Sequence, residues 1–169
     1  MTPKNTTQKI VASALFSALI CVGTMLIKIP SPFKGYIHIG DCIVLLASWL
    51  LSPLYGFLGV GIGSALADVF SGYAMYVPAT FIIKGCMALI AHYGFALLHK
   101  RTNGTLAQIV SGGVAELWMC VGYFVFEGVL YGFAPSVANL LPNGVQGVAG
   151  LILGCILIKV FEKNKINFR

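Results

Sequence analysis

The stretch that decides the fold is Ile37–Lys84, IHIGDCIVLLASWLLSPLYGFLGVGIGSALADVFSGYAMYVPATFIIK. Two apolar runs, Cys42–Leu51 and Leu54–Ala67, are bracketed by Asp41, Asp68 and Lys84. Charges beside or inside such runs are costly unless they face a cavity, a partner charge or a ligand. These three are expected close to a ligand pocket inside a helical membrane protein.

The rest of the chain supports that class. Of 169 residues 58% are hydrophobic and 9% charged, and the mean hydropathy is +0.90. A water-soluble domain carries about a quarter charged residues. Runs near 20 residues suit helices, which satisfy their own backbone in lipid, and the alternation of a membrane barrel is missing. The expected fold is an all-α bundle of six transmembrane helices forming one substrate-binding domain over 1–169.

The order of spans follows from punctuation. Lys9–Ile29 reads as the first, with Lys28 snorkelling near its end. Pro30–Tyr36 reads as a loop, His38–Leu51 as a short second span, Leu54–Phe70 as the third, and 71–78 as a second loop. The fourth span is expected over Ala79–Leu98, the fifth within Thr105–Phe133, a loop over Ala134–Asn143 with its two prolines, and the sixth over Gly144–Phe161. Gly59, Gly63 and Ala67 form a close-packing stripe, and Ala14 and Ala18 belong to a small-residue patch on the first span.

The net charge of +6 is not a nucleic-acid signature, because its distribution is topological. Lys4, Lys9, Lys100, Arg101, Lys159, Lys163, Lys165 and Arg169 fall on one side and Lys28 and Lys34 on the other. The positive-inside rule then places both termini in the cytoplasm and loops 30–36, 71–78 and 134–143 outside. The run from Ile10 is too long for a cleavable signal peptide. The five scattered cysteines, with no C-x-x-C, read as reduced. Gly59-Val-Gly-Ile-Gly63 lacks the strand and sixth position of a dinucleotide fingerprint, and no metal, hydrolase or Walker motif occurs.

Glu116 and Glu127 lie eleven residues apart, so they share a face of the fifth span about 16 Å apart in height, with Tyr123 on the same stripe. Asn143 and Gln146 open the sixth span. Tyr36, His38, Tyr73, Tyr76 and Tyr131 border them. The pocket is therefore expected to draw on Tyr36, His38, Asp41, Asp68, Tyr76, Lys84, Glu116, Tyr123, Glu127, Asn143 and Gln146. Aromatic walls with a few polar anchors suit a small ligand, whereas a tyrosine belt and an Asp68–Lys84 ion pair are the structural alternatives. One lysine cannot neutralise four buried acids, so at least one carboxylate is expected to be left for the ligand, with Glu127 the best placed. His92 and His99 read as structural.

Six short spans, the Ala14-x-x-x-Ala18 pair, GYIHIGD at 35–41 and GSALADVFSGYAMYVPATFIIKG at 63–85 resemble the substrate-binding S components of energy-coupling factor (ECF) transporters, most closely the riboflavin-type branch. The resemblance implies a multi-pass plasma-membrane subunit, not an enzyme. Such a subunit takes up a vitamin or vitamin precursor from outside and works with a transmembrane coupling subunit and two cytoplasmic ATPases. It also implies that the Ala14–Ala18 face meets the coupling subunit, that Pro30–Tyr36 acts as a lid, and that the subunit topples in the membrane to deliver its ligand. The acid-rich pocket suits a neutral or partly cationic heteroaromatic: a vitamin B6 form, hydroxymethylpyrimidine or riboflavin. A self-contained carrier using the buried charges as a proton relay is the competing class. It would be favoured by an internal repeat, which the sequence does not display.

Overall fold

The helix that carries the core is the shortest one. In the computed structural model, which describes residues 5–30 and 36–163, α2 spans Asp41–Leu50, and every residue in it except Ile43 is buried. Its sequence DCIVLLASWL is apolar on all sides after the first residue, and such a helix belongs inside a bundle rather than on its surface.

Five longer helices surround it: α1 (Thr6–Leu26), α3 (Pro53–Phe70), α4 (Val77–Leu98), α5 (Gly104–Tyr131) and α6 (Phe133–Lys163). Each is long and apolar enough to cross a bilayer; the shortest, at 18 residues, rises about 27 Å. Contacts run α1 to α3 to α4 to α5 to α6, and α2 closes the arrangement against α6, α4 and α1. The outward faces expose large apolar side chains, among them Leu26, Leu97, Leu117, Val129 and Leu141, as a surface solvated by lipid tails requires.

The glycine stripe of α3 packs against α1. A methyl group on Gly59 would sit 2.5 Å from Ser13 Oγ, and one on Gly63 2.5 Å from the Ser17 carbonyl oxygen. The backbones of α1 and α3 therefore meet with nothing between them, and Ser13 Oγ donates to the Tyr55 carbonyl at 2.7 Å. All five cysteines are free thiols. His92 meets the Ser48 carbonyl oxygen at 3.2 Å, and His99 stacks on Phe95.

Two boundaries differ from the sequence reading. The stretch after α1 is not simply loop: β1 (Lys28–Pro30) pairs antiparallel with β2 (Tyr36–His38), which extends the chain before α2 begins. Lys28 accordingly lies beyond α1, and its Nζ donates to Ser71 Oγ at 2.8 Å. Residues 31–35, the middle of the expected lid, lie outside the described residues.

The expected loop over 134–143 is helical. α6 runs unbroken through Pro142, and the chain turns instead at Gly132, whose φ of +93° suits glycine. Pro135 falls in the first turn, where no intrahelical N–H bond is due. Ser136 Oγ caps the turn by donating to the Gly132 carbonyl at 2.9 Å. Pro142 deletes one backbone bond that neighbouring helices make tolerable.

Candidate functional site

Asp41 is the first residue of α2, and its carboxylate is 0% exposed. Oδ1 accepts from Lys84 Nζ of α4, which is itself 1% exposed. Oδ2 accepts from Gln146 Nε2 of α6 at 2.7 Å. Gln146 Oε1 in turn accepts from the His38 backbone N–H at 3.0 Å, and His38 Nδ1 accepts from the Gly40 N–H at 3.0 Å. One buried acid thus ties together β2, α2, α4 and α6. Burial lowers the His38 imidazole to about 4, with Lys84 adding to the effect and Asp41 opposing it, so the ring is neutral and free to accept at Nδ1.

The expected alternative partner of Lys84, Asp68, is replaced by Asp41. Asp68 is buried near the end of α3, whereas Lys84 faces the start of α2.

Between α4 and α5 the polar residues form three rungs. Lys84 Nζ meets Met119 Sδ at 2.9 Å and lies 5.8 Å from the centre of the Tyr123 ring. Tyr123 OH donates to Thr80 Oγ1 at 3.0 Å. Tyr76 OH donates to Glu127 Oε1 at 3.3 Å. Positions 76, 80 and 84 step along α4 by four, while 127, 123 and 119 step back along α5 by four, so two antiparallel helices meet on one stripe each. Glu127 Oε2 also accepts from Asn139 Nδ2 of α6 at 2.9 Å. Tyr73 packs edge-on to Tyr76, and Tyr76 to Phe126.

Glu116 stands apart. It is 5% exposed, and neither carboxyl oxygen has a hydrogen-bond partner among the described residues. It lies against the α6 backbone where two glycines leave space: methyl groups on Gly147 and Gly150 would come within 3.2 and 3.0 Å of its oxygens, and the one on Gly150 within 2.7 Å of Asp41 Cβ. Asn143 is half-buried on the same face of α6 as Asn139, Gln146 and Gly150, at spacings of four, three and seven residues. The side chain of Tyr36 lies outside the described residues.

The structure therefore gathers His38, Asp41, Lys84 and Gln146 into one network, with Glu116 beside it, and Tyr76, Glu127 and Asn139 into a second. Tyr123 stands between them on α5. Three members were not singled out in the sequence. Met119 and Thr80 carry no signal within an apolar span, although their spacing from Tyr123 and Lys84 is the stripe period. Asn139 was hidden in the expected loop. Among the described residues no cluster of ligands could hold a metal ion.

Residues 4–163 match the family described as ECF-type riboflavin transporter, S component. The chain belongs to that family. The S component is 38% identical over 145 residues to an uncharacterized protein of Pyrococcus woesei, covering 85% of this chain and 95% of that one. It is 26% identical to the thiamine precursor transporter HmpT of Lactococcus lactis subsp. cremoris (strain MG1363), covering 94% of this chain and 90% of that protein. A solved S component of a bacterial ECF transporter superposes with a TM-score of 0.70 at 18% identity, over 94% of this chain and 98% of that one, so the two share a fold. The membrane-embedded, six-helix reading and the transport family drawn from the sequence agree with these findings.

Proposed function

We propose that this S component captures a small vitamin or vitamin precursor at the polar site between α2, α4, α5 and α6, and delivers it across the plasma membrane with a coupling subunit and two ATPases. The observation that carries the reading is the buried, partly unspent polar site. Asp41 and Lys84 neutralise each other, Glu127 is satisfied by Tyr76 and Asn139, and Glu116 keeps two acceptor atoms without a partner among the described residues. Most buried polar side-chain atoms are hydrogen-bonded, so a carboxyl with both oxygens unpaired favours a role toward a ligand. His38, Tyr76, Lys84, Tyr123, Asn143 and Gln146 complete the proposed lining, and Tyr36 is proposed from the adjoining strand. B6 forms, hydroxymethylpyrimidine and riboflavin are the ligands in view.

The orientation proposed is the one the basic residues favour, with both termini cytoplasmic and the ligand taken from outside. The proposed docking face for the coupling subunit is a groove of about 410 Å³ between α1 and α3, lined by Ala14, Ala18, Ser17, Gly59, Ile62 and Leu66 among others. Ala14 and Ala18 are exposed there, and such small residues admit another helix at close range.

Uptake assays in vesicles test this. Labelled ligand should accumulate when the coupling subunit, active ATPases and ATP are present, and not when the ATPases are inactivated. Uptake by this chain alone, abolished by a protonophore, would establish the self-contained carrier instead.

A further inference from the structure

We infer that Glu116 selects the substrate, and that its preferred ligand is a nitrogen heterocycle presenting two adjacent N–H donors, a protonated ring nitrogen beside an exocyclic amine. This rests on the transport reading above and names the ligand chemistry of that same site.

The polar groups left unspent decide the ligand. Asp41 has both oxygens occupied, by Lys84 and Gln146. Glu127 has both occupied, by Tyr76 and Asn139. Lys84 is committed to Asp41 and Met119, and Gln146 to Asp41 and the His38 backbone. Among the described residues Glu116 has neither oxygen bonded. Among the described residues the acceptors left over at this site are therefore the two oxygens of Glu116, which a ligand can answer only with donors.

A buried carboxylate without donors or a countercharge is costly. A ligand that brings both repays that cost on binding. The two oxygens of one carboxylate accept best from two parallel N–H groups in one plane, the fork geometry of arginine–carboxylate pairs. In a heterocycle, an amidine-type edge has that geometry. A phosphate ester, a carboxylate or a ring edge bearing only carbonyls would add acceptors where acceptors are already in surplus. Tyr123, seven residues further along α5 on the same face, supplies an aromatic surface for the ring. The glycine face of α6 fixes the carboxyl's seat: a side chain at Gly150 would collide with both Glu116 and Asp41.

The test is isothermal titration of the purified, ligand-free protein in detergent with four probes: 4-amino-5-hydroxymethyl-2-methylpyrimidine, the same molecule with a 4-oxo group in place of the amine, pyridoxine and riboflavin. The aminopyrimidine should bind at least about tenfold tighter than its oxo analogue, the loss expected when one charged hydrogen bond is removed. Glu116→Gln should erase that preference. It should also leave the melting temperature of the ligand-free protein unchanged or raised, because a neutral amide replaces an unpartnered buried acid; a purely structural carboxyl would give a lower one. Retention of the preference in Glu116→Gln overturns the inference. So does binding of riboflavin or pyridoxine but not the aminopyrimidine, an outcome that leaves the transport reading standing. Binding of none of the four overturns it too, and ATP-dependent uptake then judges the transport reading separately.

Discussion

Replacing Lys84 by methionine should cost more stability than removing the whole ion pair. Lys84 and Asp41 are 1% and 0% exposed, so the loss of the ammonium leaves a carboxylate in the interior with Gln146 as its remaining side-chain donor, at 2.7 Å. A contact pair of this kind is worth about 4 kcal/mol at an effective dielectric of ~20, and removing one member of a buried pair costs about 3–5 kcal/mol. For a chain of this size that corresponds to a fall in melting temperature of roughly 10 °C. Asp41→Asn combined with Lys84→Met keeps the shape and removes both charges, and should recover about 2–3 kcal/mol of the loss. Thermal unfolding in detergent, followed with a thiol-reactive dye, reads this directly, since all five cysteines are free and Cys21 and Cys42 are buried. If Lys84→Met melts like the parent, or if the double variant is simply the sum of the two single ones, Asp41 and Lys84 are not coupled as described.

Two other predictions concern the edges of the site. Ala14→Trp or Ala18→Trp should abolish ATP-driven uptake while leaving ligand affinity within about twofold, because both side chains face the outer groove beside α3; parallel loss of binding and uptake would place that face within the ligand site. The folded pKa of His38 lies below its unfolded value of 6.5, at about 4. Its stabilising contribution is therefore complete above pH 6.5 and is lost as pH falls from there toward 4. Protonation also removes the Nδ1 acceptor used by the Gly40 N–H. The melting temperature of the parent should drop across that window relative to His38→Asn, and identical pH profiles would remove His38 from the joint between β2 and α2.

Much of the bundle was legible because lipid imposes length and hydropathy on a span. The short second run announced α2, but its central place shows only in the structure, where every residue of it except Ile43 is buried. The glycine stripe at 59 and 63 marked a close-packing face, and the structure supplies its partner, α1. Proline misled at Pro135 and Pro142, since the rule that proline ends helices weakens inside a membrane bundle, and the true break is the left-handed Gly132. In the site, spacing along one helix put Glu116, Tyr123 and Glu127 on a single face. Which charge answers which depends on contacts between helices, and sequence spacing carries no register across them. That is why Lys84 was weighed against Asp68 rather than Asp41, and why Glu127 rather than Glu116 looked like the acid left over. Thr80 and Met119 acquire meaning only once α4 and α5 are aligned rung by rung.

The central claim is that this S component holds a small heteroaromatic ligand at a site completed by Glu116. Native mass spectrometry of the protein purified from cells, followed by identification of whatever denaturation releases, tests it most directly. One vitamin-sized nitrogen heterocycle per chain is expected, retained by the parent and lost from Glu116→Gln. A parent protein that emerges with no bound small molecule from cells supplied with the four probes, or a Glu116→Gln variant that retains the same ligand at the same occupancy, would contradict it.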